Sequence, residues 1–186
     1  MGFRQAAVLS TVSFFLGVLF ICFTVDHRLL YTELTQEAIQ DGFIFYTTFF
    51  NAPPAIKALL HAMVGVGVVG LISKLHKWDD SAMFFDGTSL AAYVFGIAVY
   101  ITVTIPTLRT IVTPVVGVDT DEDRAEALRV LSAGNTIIIL CLGAILALQA
   151  GQVYARRAEA RELAKIRETE KQKEQQAAVG TDKKDQ

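Results

Sequence analysis

The sequence predicts an all-α, polytopic membrane protein with four transmembrane helices and a charged C-terminal tail. Its 186 residues are 52% hydrophobic, and the mean hydropathy is +0.40, which is too apolar for an ordinary soluble domain. The apolar residues fall into four runs, each close to the roughly 20 residues that a helix needs to cross a bilayer. The charged residues lie mostly between these runs and after the last one.

The domain boundaries follow from these runs. We predict a membrane domain over residues 1–154, with spans at about residues 6–25, 55–73, 89–105 and 130–153, and a tail over residues 155–186. A secretory signal peptide is the alternative for the first run. The run is long for a signal peptide, and no small-x-small cleavage site precedes the polar segment at residues 25–28, so we expect a retained span.

The connection between the first two spans, residues 26–54, is the longest one. Its second half is crowded with aromatic residues, namely Phe43, Phe45, Tyr46, Phe49 and Phe50. Aromatic rings beside a span suit the membrane interface or a partly inserted loop, and the alternative is a surface that contacts client helices. Pro53 and Pro54 suit the first turn of the second span, where a missing N–H group costs nothing.

Charged segments flank the fourth span. The acidic run at residues 119–123 lacks the spacing, the glycine and the closing glutamate of an EF-hand. We predict instead that it caps a helix starting near Thr120. Residues 156–186 are rich in helix-forming residues but have no sustained apolar stripe. We expect the fourth span to continue there as a solvated helix that becomes disordered by Ala177.

The basic residues predict the orientation. With the N-terminus in the cytosol, Arg4, Lys74, Lys77 and seven basic residues of the tail are cytosolic, ten in all. Only five fall on the other side, namely Arg28, Lys57, Arg109, Arg124 and Arg129. The positive-inside rule favours this arrangement. Four spans then place both termini, and the tail, in the cytosol.

The ionisable residues form no recognisable catalytic or metal-binding pattern. His61 and His76 are 15 residues apart, about 22 Å along a helix, so they cannot share a metal ion. No G-x-S-x-G, Walker A or H-E-x-x-H motif occurs. We predict no enzyme activity, no cofactor, no metal and no nucleic-acid binding. The alternative is a small polytopic membrane enzyme, or a transporter subunit, acting on lipids or small solutes.

Small residues recur in the spans at a spacing that lets helix backbones approach closely. They are Gly65, Gly67 and Gly70, then Ala92 and Gly96, then Gly143, Ala147 and Gly151. These ridges either hold the four helices together or offer docking grooves to other membrane helices, and the sequence leaves both open. Asn135 is a strongly polar residue in mid-span. Bridging helices by hydrogen bonds is the commoner role of such a residue, rather than an ion pathway.

Three segments carry a family resemblance. They are NAPPAIKALLHAMVGVGVVGLISKLHKWDDSAMFFDGTSLAAYVFGIAVYIT at residues 51–102, FFLGVLF at residues 14–20 and LQAGQVYA at residues 148–155. Together they resemble the fungal endoplasmic-reticulum (ER) packaging chaperones for amino-acid permeases. The resemblance implies an ER membrane chaperone that prevents aggregation of newly made permeases and aids their packaging into COPII vesicles for ER-to-Golgi transport. It implies permease clients and COPII coat components as partners.

Two short segments have further predicted roles. We expect residues 77–87 to form a tight structural loop in which Asp86 caps the third span. Its family-like part consists of Met83, Phe84, Phe85, Asp86 and Gly87. Lys183 and Lys184, fourth and third from the end of the sequence, resemble the dilysine retrieval signal of resident ER membrane proteins, which works only on an exposed cytosolic end.

Overall fold

The computed structural model describes residues 2–75 and 80–182 of the chain. Its helices are α1 (Phe3–Tyr31), α2 (Gln36–Phe50), α3 (Pro54–Leu75), α4 (Asp80–Val99), a π-helical turn (Tyr100–Thr104), α5 (Ile105–Val112) and α6 (Asp121–Asp182). Within these described residues, four helical segments are long and apolar enough to cross a membrane, namely Phe3–Tyr31, Pro54–Leu75, Met83–Val112 and Asp121–Gln172. The predicted fold class, all-α with four potential spans, is therefore confirmed.

The chain forms two compact units, Met1–Gln149 and Ala150–Gln186. The first unit contains α1 to α5 and the first part of α6. The second unit is the charged end of α6, and its described side chains between residues 154 and 172 are mostly exposed. The predicted boundary between a membrane domain at 1–154 and a solvated tail at 155–186 stays a prediction.

The first connection is more ordered than we predicted. Helix α1 continues beyond residue 25 to Tyr31, because Asp26 is buried among hydrogen-bond donors and does not need water. A second helix, α2, replaces the expected loop, and Thr35 caps it by accepting a hydrogen bond from the Ala38 amide at 3.2 Å. One face of α2 packs inward through Ala38, Gly42 and Tyr46.

Two glycines of α3 allow close packing against α1 and α4. A Cβ atom at Gly67 would lie 2.6 Å from Tyr93 Cζ and 2.9 Å from Thr11 Cγ2. At Gly70 it would lie 3.1 Å from Val8 Cγ2. Because these distances are shorter than ordinary van der Waals contact, a larger residue at either position would force the neighbouring side chains of α1 or α4 to shift.

The third span is longer than predicted. We expected it to end near Pro106, but the helical path continues through the π-helical turn and α5 to Val112. Proline lacks the N–H group that an α-helix needs. The wider π turn just before Pro106 is a common way to accommodate such a break without ending the helix.

A single arginine joins α2, α5 and α6. The Arg124 guanidinium donates from Nη2 to the carbonyl oxygen of Ile111 at 3.0 Å and lies 4.6 Å from the centre of the Phe43 ring.

The start of α6 lies where we predicted it. Thr120 Oγ1 accepts from the Asp123 amide at 3.1 Å, and Asp123 Oδ2 accepts from the Thr120 amide at 2.9 Å, which forms a reciprocal cap.

The glycine packing predicts a difference between two neighbouring substitutions on α3. Gly67→Leu should destabilise the bundle by about 1–3 kcal/mol, because overpacking forces the surrounding helices to shift. Gly65→Leu is the matched control, since a Cβ at Gly65 meets nothing within 4 Å. Thermal unfolding of both variants in mild detergent measures the effect. Equal melting temperatures for the two variants would contradict the close-packing role.

Candidate functional site

Polar side chains in the first unit gather into two buried clusters. The first contains Asp26 of α1, Tyr46 of α2, and Ser132 and Asn135 of α6. The second contains Lys74 of α3, Asp86 and Ser89 of α4, and Gln149 of α6. We call them the Asp26 cluster and the Lys74–Asp86 cluster. Each links at least three helices, so both fix how the helices are arranged.

Hydrogen-bond donors surround the carboxylate of Asp26, which is fully buried. Oδ1 accepts from Ser132 Oγ at 2.8 Å and from the Tyr46 hydroxyl, and Oδ2 accepts from Asn135 Nδ2 at 3.0 Å. Asn135 Nδ2 also donates to Tyr46 Oη at 3.0 Å. Within the described residues, no lysine, arginine or histidine forms an ion pair with Asp26. Neutral donors therefore supply its stabilisation.

Tyr46 joins α2 to this cluster. Burial, and then the charge of Asp26, raise the pKa of Tyr46 above its ordinary value. The phenol therefore stays protonated, and its O–H group donates a hydrogen bond to the carboxylate. Asn135 completes the link between α1, α2 and α6. Asn135 on α6 thus forms hydrogen bonds to α1 and to α2.

The second cluster is a buried ion pair. Lys74 Nζ lies 2.7 Å from Asp86 Oδ1, and the two side chains are 8% and 1% exposed. Gln149 Nε2 donates to Asp86 Oδ1 and to Ser89 Oγ, both at 3.1 Å, and Gln149 Oε1 accepts from Lys74. Nearby, Arg4 Nη1 donates to the carbonyl oxygen of Ser73 at 2.7 Å. These contacts join α1, α3, α4 and α6 at one end of the unit.

The position of Asp86 corrects one prediction. We expected Asp86 to cap the third span from a loop, but α4 already begins at Asp80, so Asp86 lies inside the helix. It turns inward because Lys74 and Gln149 offer partners there. Met83 and Phe84 are exposed, whereas Phe85 and Gly87 are partly buried. The part of the predicted loop at residues 77–79 lies outside the described residues.

The predicted small-residue ridges divide into inward and outward positions. Gly67, Gly70 and Gly96 are buried and Ala92 is partly buried, whereas Gly65, Gly143 and Ala147 are exposed. Gly151 is partly buried and belongs to the second unit. Lys183 and Lys184 lie outside the described residues. The ridges of α3 and α4 thus pack mainly within the bundle, and the ridge of α6 faces outward.

Several buried polar residues escaped the sequence-based prediction. Asp26, Ser89 and Ser132 were not singled out, and Lys74 was placed in a solvated connection. A signal for Asp26 was present: it follows Leu19 and Cys22 at helical spacing and precedes Leu29, so it lies on the buried face of α1.

An apolar cavity of about 140 Å³ lies inside the first unit, between α1, α2, α3, α4 and α6. Tyr46 and Asn135 of the Asp26 cluster form part of its wall, together with Cys22 and Cys141. A wider groove of about 770 Å³ is lined by α1, α2 and the start of α3. In the described part of the chain, no group of three or more His, Cys, Asp or Glu residues has the geometry to hold a metal ion.

A family-wide comparison identifies the chain. The sequence profile of the SHR3 chaperone family, described as ER membrane protein SH3, matches residues 1–186. The chain belongs to the SHR3 chaperone family. Members of this family are multi-pass, non-enzymatic chaperones of the ER membrane that package amino-acid permeases into ER-exit vesicles. No curated protein and no solved structure matches the chain significantly.

Membership of the SHR3 family confirms the predicted function and its non-enzymatic character. The alternative of a membrane enzyme or transporter subunit is therefore set aside. The two polar clusters are then elements that hold a chaperone together in lipid, where water cannot satisfy buried polar groups.

The Lys74–Asp86 pair predicts a large loss of stability for Asp86→Ala. Removing the buried carboxylate that faces Lys74 should cost about 3–5 kcal/mol. The control is Asp41→Ala, which breaks the half-exposed Arg28–Asp41 pair and should cost no more than about 1 kcal/mol. Unfolding midpoints and cellular abundance measure both effects.

A double substitution separates charge from packing at the same site. Lys74→Met combined with Asp86→Leu removes both charges and keeps apolar volume, so it should recover much of the stability that Asp86→Ala loses. If Asp86→Ala is as stable as the unsubstituted protein but blocks permease export, then Asp86 acts on clients rather than on the fold.

Proposed function

We propose that this chain shields newly made permease helices through the outward face of α6. The face is formed by Ile137, Leu140, Gly143, Ala144 and Ala147, which follow one another at helical spacing and are exposed. The observation that carries the proposal is that Gly143 has no neighbour within 4 Å of its Cβ position. Its small size is therefore not required by packing inside the bundle.

Small residues on an exposed membrane helix let a second helix approach closely, with contacts between backbones. An unassembled permease helix carries polar groups that lipid cannot satisfy. A bundle whose own polar groups are paired internally can cover such a helix reversibly, because it offers the client a smooth apolar face. The Asp26 and Lys74–Asp86 clusters supply that internal pairing, and this division of surfaces supports the role of a temporary partner.

A leucine substitution on this face tests the proposal. In cells that lack the native protein, Gly143→Leu should weaken site-specific photocrosslinking between α6 and a newly made permease by about tenfold, a loss of about 1.4 kcal/mol, because the larger side chain keeps the client helix from approaching closely. Permease export should fall with it while the abundance of the chaperone stays normal.

The matched control is Gly17→Leu on α1, because Gly17 is also exposed and also has nothing within 4 Å of its Cβ. It should leave crosslinking and export unchanged. If both variants behave alike, the face of α6 is not the client surface.

We further propose that both termini lie in the cytosol. The positive-inside count supports this orientation. The fold also supports this orientation. Near the N-terminus, Arg4 contacts Ser73, and the adjacent Lys74 contacts Gln149, which precedes the tail in sequence. A cytosolic tail would be positioned to meet COPII coat components and would expose Lys183 and Lys184 to retrieval receptors.

Glycosylation acceptors test the orientation. An acceptor inserted between α5 and α6, at residues 113–120, should be modified in the ER lumen. Acceptors inserted at residues 76–79 or after residue 172 should stay unmodified. The reverse pattern would contradict the proposed orientation.

The retrieval signal has its own test. Replacing Lys183 and Lys184 with serine should let a protein with a free C-terminus and an internal tag reach the Golgi, because the receptor-read address is lost. Golgi-type glycan processing of the acceptor between α5 and α6 measures the escape. Continued residence in the ER would show that retention depends on the spans or on client binding.

A further inference from the structure

The groove and the cavity lie next to each other and share part of their wall. The groove lies between α1, α2 and the start of α3, and the cavity lies toward α4 and α6. Four residues line both spaces, namely Val18, Cys22, Phe49 and Leu60. A molecule in the groove would reach the cavity by passing these shared side chains.

The cavity has the size and chemistry for hydrocarbon. Its volume of about 140 Å³ is close to the roughly 150 Å³ of apolar cavities that bind benzene-sized molecules. Its lining is almost entirely apolar, and the polar atoms of Tyr46 and Asn135 at its wall are already bonded within the Asp26 cluster. A client helix about 10 Å across cannot enter this space, whereas the end of an acyl chain can.

A cation lies at the rim of the groove. Arg28 lines the groove and pairs with Asp41 at 2.6 Å and with Glu37 at 3.9 Å. Its side chain is 42% exposed. A guanidinium has five N–H donors, and such a group is well suited to bind a phosphate oxygen as well as a carboxylate. Asp41 lines the groove as well, so a phosphate would use the N–H donors of Arg28 that its two carboxylate partners leave exposed, beside an apolar wall that suits acyl chains.

We propose that the groove and the cavity bind one glycerophospholipid, with the end of an acyl chain in the cavity and the phosphate at Arg28. In an ER membrane protein, such lipids are the surrounding solvent and reach a lateral groove by diffusion in the bilayer. The bound lipid would fill a space that the helices leave open and would contact α1, α2 and α3. It is separate from the proposed client face on α6.

A photoreactive lipid tests the site. The full chain is reconstituted in vesicles containing phosphatidylcholine with a diazirine near the terminal methyl group of one chain, and the labelled peptides are mapped by mass spectrometry. Labelling should concentrate on residues that line the cavity but not the groove, such as Leu19, Tyr93 and Cys141. Uniform labelling of the outward helix faces, with none in the cavity, would overturn the proposal.

A cavity-filling variant sharpens the test. A Cβ at Gly96 meets only Ile138 Cγ2, at 4.0 Å, so Gly96→Leu places its side chain in the cavity. It should lower cavity labelling by about tenfold, because excluding two or more methylene groups weakens occupancy to that extent. Gly143→Leu makes the same change outside the cavity and should leave the labelling unchanged. Equal cavity labelling in both variants would contradict the proposal.

Two further variants cover folding failure and the phosphate. If Gly96→Leu does not fold, Ala92→Leu fills the same cavity from α4 and should give the same loss. Arg28→Gln should reduce labelling by the phosphatidylcholine probe by about tenfold, as expected for the loss of one charge-assisted hydrogen bond. It should leave labelling by a phosphate-free diacylglycerol probe unchanged. If Arg28→Gln affects neither probe, the assignment of the phosphate to Arg28 is wrong.

Discussion

The buried carboxylate of Asp26 requires hydrogen-bond donors, and the surrounding lipid has none. The protein supplies them from two other helices: Tyr46 from α2, and Ser132 and Asn135 from α6. Removing any of these donors would leave a buried charge less well stabilised, which is costly in a low-dielectric interior. The positions of α1, α2 and α6 are therefore fixed together. Two of these donors, Tyr46 and Asn135, also line the internal cavity.

The opposite end of the unit satisfies the same requirement with opposite charges. Lys74 and Asp86 form an ion pair, and Gln149 donates hydrogen bonds to Asp86 and Ser89. Elsewhere, close contact between helices depends on small side chains. Gly67 leaves room for Tyr93 and Thr11, and Gly70 leaves room for Val8. Among the described residues, the buried side-chain polar atoms are hydrogen-bonded, apart from the Thr11 and Thr104 hydroxyls.

The four spans were predictable from the sequence because hydropathy over about 20 residues is a local property. The start of α6 was predictable for the same reason, since Thr120 and Asp123 cap it through neighbouring atoms. The Asp26 cluster was not, because Asp26 and Asn135 are 109 residues apart in sequence, and a charge beside an apolar run ordinarily marks its end. Asp86 was misplaced for a related reason. The sequence showed a charged connection, whereas the partner that draws Asp86 inward lies on another helix.

The Asp26 cluster holds α1 and α6 together, and a double-mutant cycle measures this coupling directly. The free energy of unfolding in bicelles is compared for the unsubstituted protein, Asp26→Ala, Asn135→Ala and the double variant. Hydrogen bonds to a buried charge predict a coupling energy of about 1.5–3 kcal/mol between the two sites. Effects that add to within about 0.5 kcal/mol would show that the two residues act independently and would contradict this account.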